Sequence, residues 1–160
     1  TQALFFYLVI YMITSLSLWS VILSINTSRN TERSKTLIDF ASVSTTNPLI
    51  GLTGMMALFS LAGVPPLAGF FGKFYIFVAA LESNMVFLAV IGIIASVISA
   101  FYYLRIVKIM YFDEPKEEFD GVNIRSLQVL FYPSSFLVIL FFIYPAPIIQ
   151  LSEYAIKSFY

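Results

Sequence analysis

Neither cysteine nor histidine occurs in the 160 residues. Their absence excludes disulfides, thiolate and imidazole metal sites, haem held by histidine, iron–sulfur ligation and Ser-His or Cys-His catalysis. Any chemistry must fall to carboxylates, lysine, hydroxyls or the backbone. Charge is also scarce: 11% of the residues are charged, where a globular domain carries roughly 25%. The charges sum to zero and form no long basic tract, so the electrostatic footprint of a nucleic-acid binder is missing.

What is there is apolar: 59% of the chain is hydrophobic and 18% aromatic. So little charge cannot clothe a water-facing surface, whereas a bilayer asks for none along its hydrocarbon face. The expected class is an all-α bundle of about four transmembrane helices in one domain, 1–160, with lipids as its surroundings. Thr1 to Ile25 lacks a basic n-region and a small-residue cleavage site, so it reads as a span rather than a signal peptide.

Charged residues punctuate uncharged stretches long enough to cross a hydrocarbon core, which takes about 20 helical residues. The expected spans are about 3–25, 48–81, 85–111 and 126–144, the last kinked at Pro133 and ended by Pro145 and Pro147. Asn47-Pro48 suits an N-cap followed by the first helical position. Thr36 to Val43 reads either as a short amphipathic turn at the interface or as a polar loop. Arg29, Arg33, Lys35, Arg105, Lys108, Lys116 and Arg125 fall in the first and third loops, against Lys157 on the other side. The basic side is therefore assigned to the cytoplasm or matrix, with both termini opposite.

The second element does not fit as a straight rod, since about 34 residues at 1.5 Å each make roughly 50 Å against a core of about 30 Å. Within it stands Gly63-Val64-Pro65-Pro66. Consecutive prolines delete two helix donors, freeing the carbonyls of Leu61 and Ala62. Free carbonyls facing lipid cost several kcal/mol each, so the break belongs against protein or a wet cavity. The expectation is a discontinuous span broken near 63–66, its marker residues being Gly63, Pro65 and Pro66.

Lys73 follows the break and is the one charge inside the segment. A lysine at that depth costs about 3 kcal/mol on insertion scales, and an ammonium taken out of water yields its proton more readily. That makes Lys73 the candidate proton carrier. The alternative is snorkelling, because eight helical residues, about 12 Å, separate it from the end of the segment and its stem is long. Gly69, Gly72 and Ala68 give the second half a small-residue face for a neighbouring helix or water. Ser60 and Tyr103 are candidate members of a polar path, with Ser96, Ser99 and Tyr102 as weaker ones; interhelical hydrogen bonds or an interfacial aromatic belt would account for them equally.

Leu61 to Tyr75, LAGVPPLAGFFGKFY, resembles the second discontinuous helix of the antiporter-like subunits of proton-pumping NADH:quinone oxidoreductase, respiratory complex I. Agreement lies in Gly63, Pro65, Gly69 and Lys73. Leu37 to Pro48 (LIDFASVSTTNP) resembles the family's loop before that helix, and Phe101 to Phe112 (FYYLRIVKIMYF) the end of the helix after it. Ser42 departs from the family, standing where a glycine is usual, and threonines replace basic residues in the loop. Lys73-Phe74-Tyr75 resembles the subunit 2 branch, whereas subunit 4 has glutamate at the lysine, and subunit 5 and the sodium/proton antiporters favour a following aspartate.

The resemblance implies a subunit of a proton-translocating NADH:ubiquinone reductase, with Lys73 as its proton-transfer residue in the C-terminal half of a channel. It implies no redox chemistry and no cofactor on this chain: NADH, flavin, iron–sulfur clusters and quinone would sit on other subunits. Partners would be other membrane subunits of the complex, in the mitochondrial inner membrane or else a bacterial plasma or plastid thylakoid membrane. The chain resembles only the last four helices of the family, so the rest would lie on the same polypeptide or on a second one. A structural membrane subunit without proton transfer and a sodium/proton antiporter subunit are the other functions to weigh.

Overall fold

A computed structural model describes residues 2–24, 40–41, 43–114, 133 and 136–137. All regular structure among them is helical: α1 Gln2–Ser24, α2 Val43–Thr46, α3 Pro48–Ala62, α4 Ala68–Glu82 and α5 Val86–Phe112. The expected fourth span lies outside the described residues except for Pro133, Phe136 and Leu137, which are helical.

Among the described residues, two helices are long and apolar enough to cross a membrane, over Ala3–Leu23 and Val86–Phe112. With 15 residues each, α3 and α4 are only about 22 Å long at 1.5 Å per residue, short of the roughly 30 Å core. Asn47 caps α3, its Oδ1 accepting from the Ile50 N–H at 3.4 Å, and Pro48 takes the first turn, where its missing N–H costs no bond. Of Thr36 to Val43, Phe40 and Ala41 form a 3₁₀ turn whose side chains are buried in the core, and Val43 opens α2.

Helix α3 is the centre of the bundle, packing on α1, α2, α4 and α5. Val21, Leu58 and Met110 are fully buried where α1, α3 and α5 meet, with Phe40, Ala41, Val43 and Ile50 around them. Gly54 admits this packing: a Cβ there would lie 3.0 Å from the Met110 methyl and 3.2 Å from Val21. The Ser44 hydroxyl donates to the Met110 carbonyl, tying α2 to the end of α5. A second cluster, Phe6, Ile10 and Ala68, joins α1 to α4.

The outward faces are apolar. Phe87 is 80% exposed, Val97 67% and Phe101 64% on α5, a run of greasy surface far beyond what a water-soluble domain leaves uncovered. In hydrocarbon the same surface is matched to its solvent.

Candidate functional site

The last four carbonyls of a helix have no intrahelical donor, and the end of α3 shows where each of them goes. Gly63 turns into the left-handed region at φ 87, a conformation that favours glycine. This places the Gly63 N–H on the Ser60 carbonyl and the Val64 N–H on the Phe59 carbonyl, each at 3.0 Å, a Schellman ending. Leu61 and Ala62 remain, and their helical donors would have been the nitrogens of Pro65 and Pro66, which carry no hydrogen. The chain passes through a cis Pro65-Pro66 peptide and resumes as α4 at Ala68.

Lys73 supplies what the prolines withhold. From the second turn of α4 its side chain folds back over the break, and Nζ donates to the Leu61 carbonyl at 2.8 Å and the Ala62 carbonyl at 3.3 Å. Its third hydrogen bond, at 2.8 Å, goes to the Ser96 hydroxyl on α5. An ammonium has three donors, and all three are used. The charge also meets the partial negative end of α3, and no carboxylate pairs with it among the described residues. Gly63 lies under the stem: a Cβ there would be 3.3 Å from Lys73 Cδ and 3.5 Å from Nζ.

Ser60 holds the two helices together. Leu67 precedes α4 without a side-chain cap of its own, and the buried Ser60 Oγ of α3 accepts from the Gly69 N–H at 3.0 Å instead. A Cβ on Gly69 would overlap the Ser60 carbonyl oxygen, so close approach at this point depends on glycine. Gly72, one turn on, faces Tyr7 and Ile10 of α1.

A cavity of about 330 Å³ opens beside the lysine, between α1, α3, α4 and α5. Ser60, Lys73, Ser96, Ser99 and Tyr103 all line it, as do Tyr7, Tyr11 and Thr14 of α1. Thr14 and Ser99 donate to carbonyls of their own helices, Ile10 at 2.7 Å and Ala95 at 2.8 Å, which leaves their lone pairs free to accept from a guest. At roughly 30 Å³ for each water in the liquid, the volume has room for about ten. Tyr102, by contrast, is exposed on the outer face of α5 and does not line the cavity. Gly63, Pro65 and Pro66 form the turn rather than the wall.

Lys73, Ser60 and Tyr103 were identifiable in the sequence; Tyr7, Tyr11 and Thr14 were not singled out. Their spacing of four and then three residues puts them on one face of α1, and that register was the available signal. Both tyrosines are easily taken for an interfacial belt in an otherwise uniformly apolar helix.

Comparison with known proteins bears on what such a site belongs to. A family profile described as NADH:quinone oxidoreductase/Mrp antiporter, TM, matches residues 1–99. The chain is 46% identical over 152 residues to NADH-quinone oxidoreductase subunit N of Parvibaculum lavamentivorans, covering 95% of this chain and 31% of that protein. It is 37% identical over 164 residues to NADH-ubiquinone oxidoreductase chain 2 of Oenothera berteroana, covering 99% and 32%. Among solved structures, a chain of respiratory complex I from Thermus thermophilus with bound aureothin superposes with a TM-score of 0.74 at 27% identity, over 91% of this chain and 33% of that one. The chain thus spans about a third of the length of the curated relatives it matches. It belongs to the NADH:quinone oxidoreductase/Mrp antiporter transmembrane family, among the relatives of complex I subunit N and chain 2.

Proposed function

We propose that this chain forms the C-terminal part of an antiporter-like subunit of a proton-pumping NADH:quinone oxidoreductase, and that Lys73 is the group that loads and releases the proton. One observation carries the reading: the lysine ammonium is held by the two carbonyls freed at the interruption and by Ser96, beside a cavity with hydroxyl side chains in its wall. A snorkelling lysine would extend along α4 toward its C-terminal end; this one folds the opposite way, over the start of the helix.

On this reading α3 and α4 together make one discontinuous span, joined at Gly63, Pro65 and Pro66. This chain has about four spans in its single domain, 1–160, the fourth near 126–144. The cavity, with Ser60 and Tyr103 in its wall, is the wet end of a proton path. Half-helix ends meeting at mid-membrane around an ion are a transporter arrangement. Electron transfer between NADH and quinone, with its flavin and iron–sulfur clusters, takes place on other subunits of the complex. The remaining helices of the antiporter unit come from residues outside this chain or from a second polypeptide. The mitochondrial inner membrane is the proposed location, with a bacterial plasma membrane or a plastid thylakoid as the alternative.

The test uses the assembled complex in sealed vesicles. Lys73→Ala should leave assembly on a native gel intact and lower the protons moved per NADH oxidised. Undiminished pumping in that variant would reduce the chain to a structural role, and proton movement driven by a sodium gradient without any NADH oxidation would favour a sodium/proton antiporter.

A further inference from the structure

The three partners of Lys73 differ in what they can do once the lysine changes its protonation state. Leu61 and Ala62 offer backbone carbonyls, which accept hydrogen bonds and carry no proton to exchange. Ser96 offers a hydroxyl, which accepts, donates and holds an exchangeable proton. Ser96 is also the only one of the three whose polar side chain lines the cavity. We propose that Ser96 is the first proton acceptor of Lys73, so that the proton passes between the lysine and water in the cavity through this hydroxyl. The inference rests on the reading of Lys73 as the group that titrates.

The step balances with one water of the cavity as co-reactant. The Nζ–H bond pointing at Ser96 breaks and an Oγ–H bond forms, while the hydroxyl's original proton goes to the water, making hydronium that passes its charge on. Lys73 becomes a neutral amine and Ser96 a neutral hydroxyl. The new hydroxyl hydrogen lies between Oγ and Nζ, so it donates to the lone pair that the amine has just acquired. The two remaining N–H groups stay on the Leu61 and Ala62 carbonyls. Every polar group of the cluster is satisfied before and after, without rotation of the lysine stem, and reloading is the same step reversed. Neither carbonyl could play this part, because a carbonyl cannot donate to an amine lone pair.

The experiment compares Ser96→Thr with Ser96→Val in the assembled complex, since the two differ at that position by a hydroxyl against a methyl of nearly the same shape. Ser96→Ala is the third variant, because it adds no bulk. Assembly is followed on a native gel, and proton uptake and NADH oxidation are followed together in sealed vesicles. Ser96→Thr should retain pumping, and Ser96→Val and Ser96→Ala should lose about a hundred-fold or more in pumping rate, the scale of losing a positioned proton-transfer group. Rescue by threonine alone is a result that a packing role would not give. Pumping by Ser96→Val or Ser96→Ala at the rate of the threonine variant would overturn it. Lys73→Ala run in parallel separates the two readings: lost pumping there with normal pumping in Ser96→Ala overturns the role of Ser96 only, whereas normal pumping in Lys73→Ala removes the underlying role of the lysine.

Discussion

Replacing Gly69 by alanine should cost far more than the addition of one methyl group suggests. The new Cβ would overlap the Ser60 carbonyl oxygen, a backbone atom in the last turn of α3 that no side-chain rotation can move aside. The start of α4 has to draw back, and that movement breaks the bond from the Gly69 N–H to Ser60 Oγ. Overpacking costs roughly 1–3 kcal/mol, and a buried N–H without an acceptor costs roughly 1–3 kcal/mol more. Alanine returns about 1 kcal/mol through its better helix propensity, leaving a net loss of roughly 1–5 kcal/mol. Gly72→Ala is the control on the same face of α4. Its Cβ would meet Tyr7 Cδ2 at 3.3 Å and Ile10 Cδ1 at 3.5 Å, side-chain atoms that can shift by a few tenths of an ångström, so the helix-propensity gain leaves it near neutral. The assay is the yield of assembled complex on a native gel and its apparent unfolding temperature in detergent, with pumping measured on whatever assembles. Wild-type yield and temperature in Gly69→Ala, or equal damage in Gly72→Ala, would refute the claim that the two helices touch at this glycine.

Two further perturbations act on the turn. Gly63→Ala forces an L residue into a left-handed conformation, at about 1–2 kcal/mol, and puts a methyl against the stem of Lys73; pumping should fall, with Gly63→Asn less affected because asparagine adopts that conformation more readily. Pro65→Ala together with Pro66→Ala restores two N–H groups that compete with Lys73 for the Leu61 and Ala62 carbonyls. The pair should still insert into membranes, as judged by protease protection of the loops, yet pump less.

The end of α3 was legible because its causes are local. Asparagine before proline starts a helix, two prolines remove two particular donors, and glycine permits the left-handed turn. Each acts within a few residues of where it stands, and so the carbonyls of Leu61 and Ala62 could be named as unpaired before any coordinates. Their partner could not be named, because Lys73 lies 12 and 11 residues further along the chain and reaches back only if the turn reverses its direction. Ser96 is 23 residues from Lys73 and meets it through the packing of α5 on α4. The sequence offers Ser60 as part of a polar path; its oxygen also caps the neighbouring helix, a use that depends on how closely α3 and α4 approach. The α1 face of Tyr7, Tyr11 and Thr14 was hidden for a different reason. In lipid the outward side of a helix is as apolar as its packed side, so the periodicity that marks the buried face of a soluble helix is weak.

On the proposed function, Lys73 exchanges a proton and does not merely hold a positive charge beside the interruption. Arginine keeps the charge and can still donate to carbonyls, but it hardly ever releases its proton. The most direct measurement is therefore the number of protons moved per NADH oxidised in sealed vesicles carrying Lys73→Arg, on complex shown by native gel to be fully assembled. The expected ratio is clearly below that of the unaltered complex, matching Lys73→Ala. An undiminished ratio in the arginine variant would show that a fixed charge suffices and would contradict the proton-carrying role of the lysine.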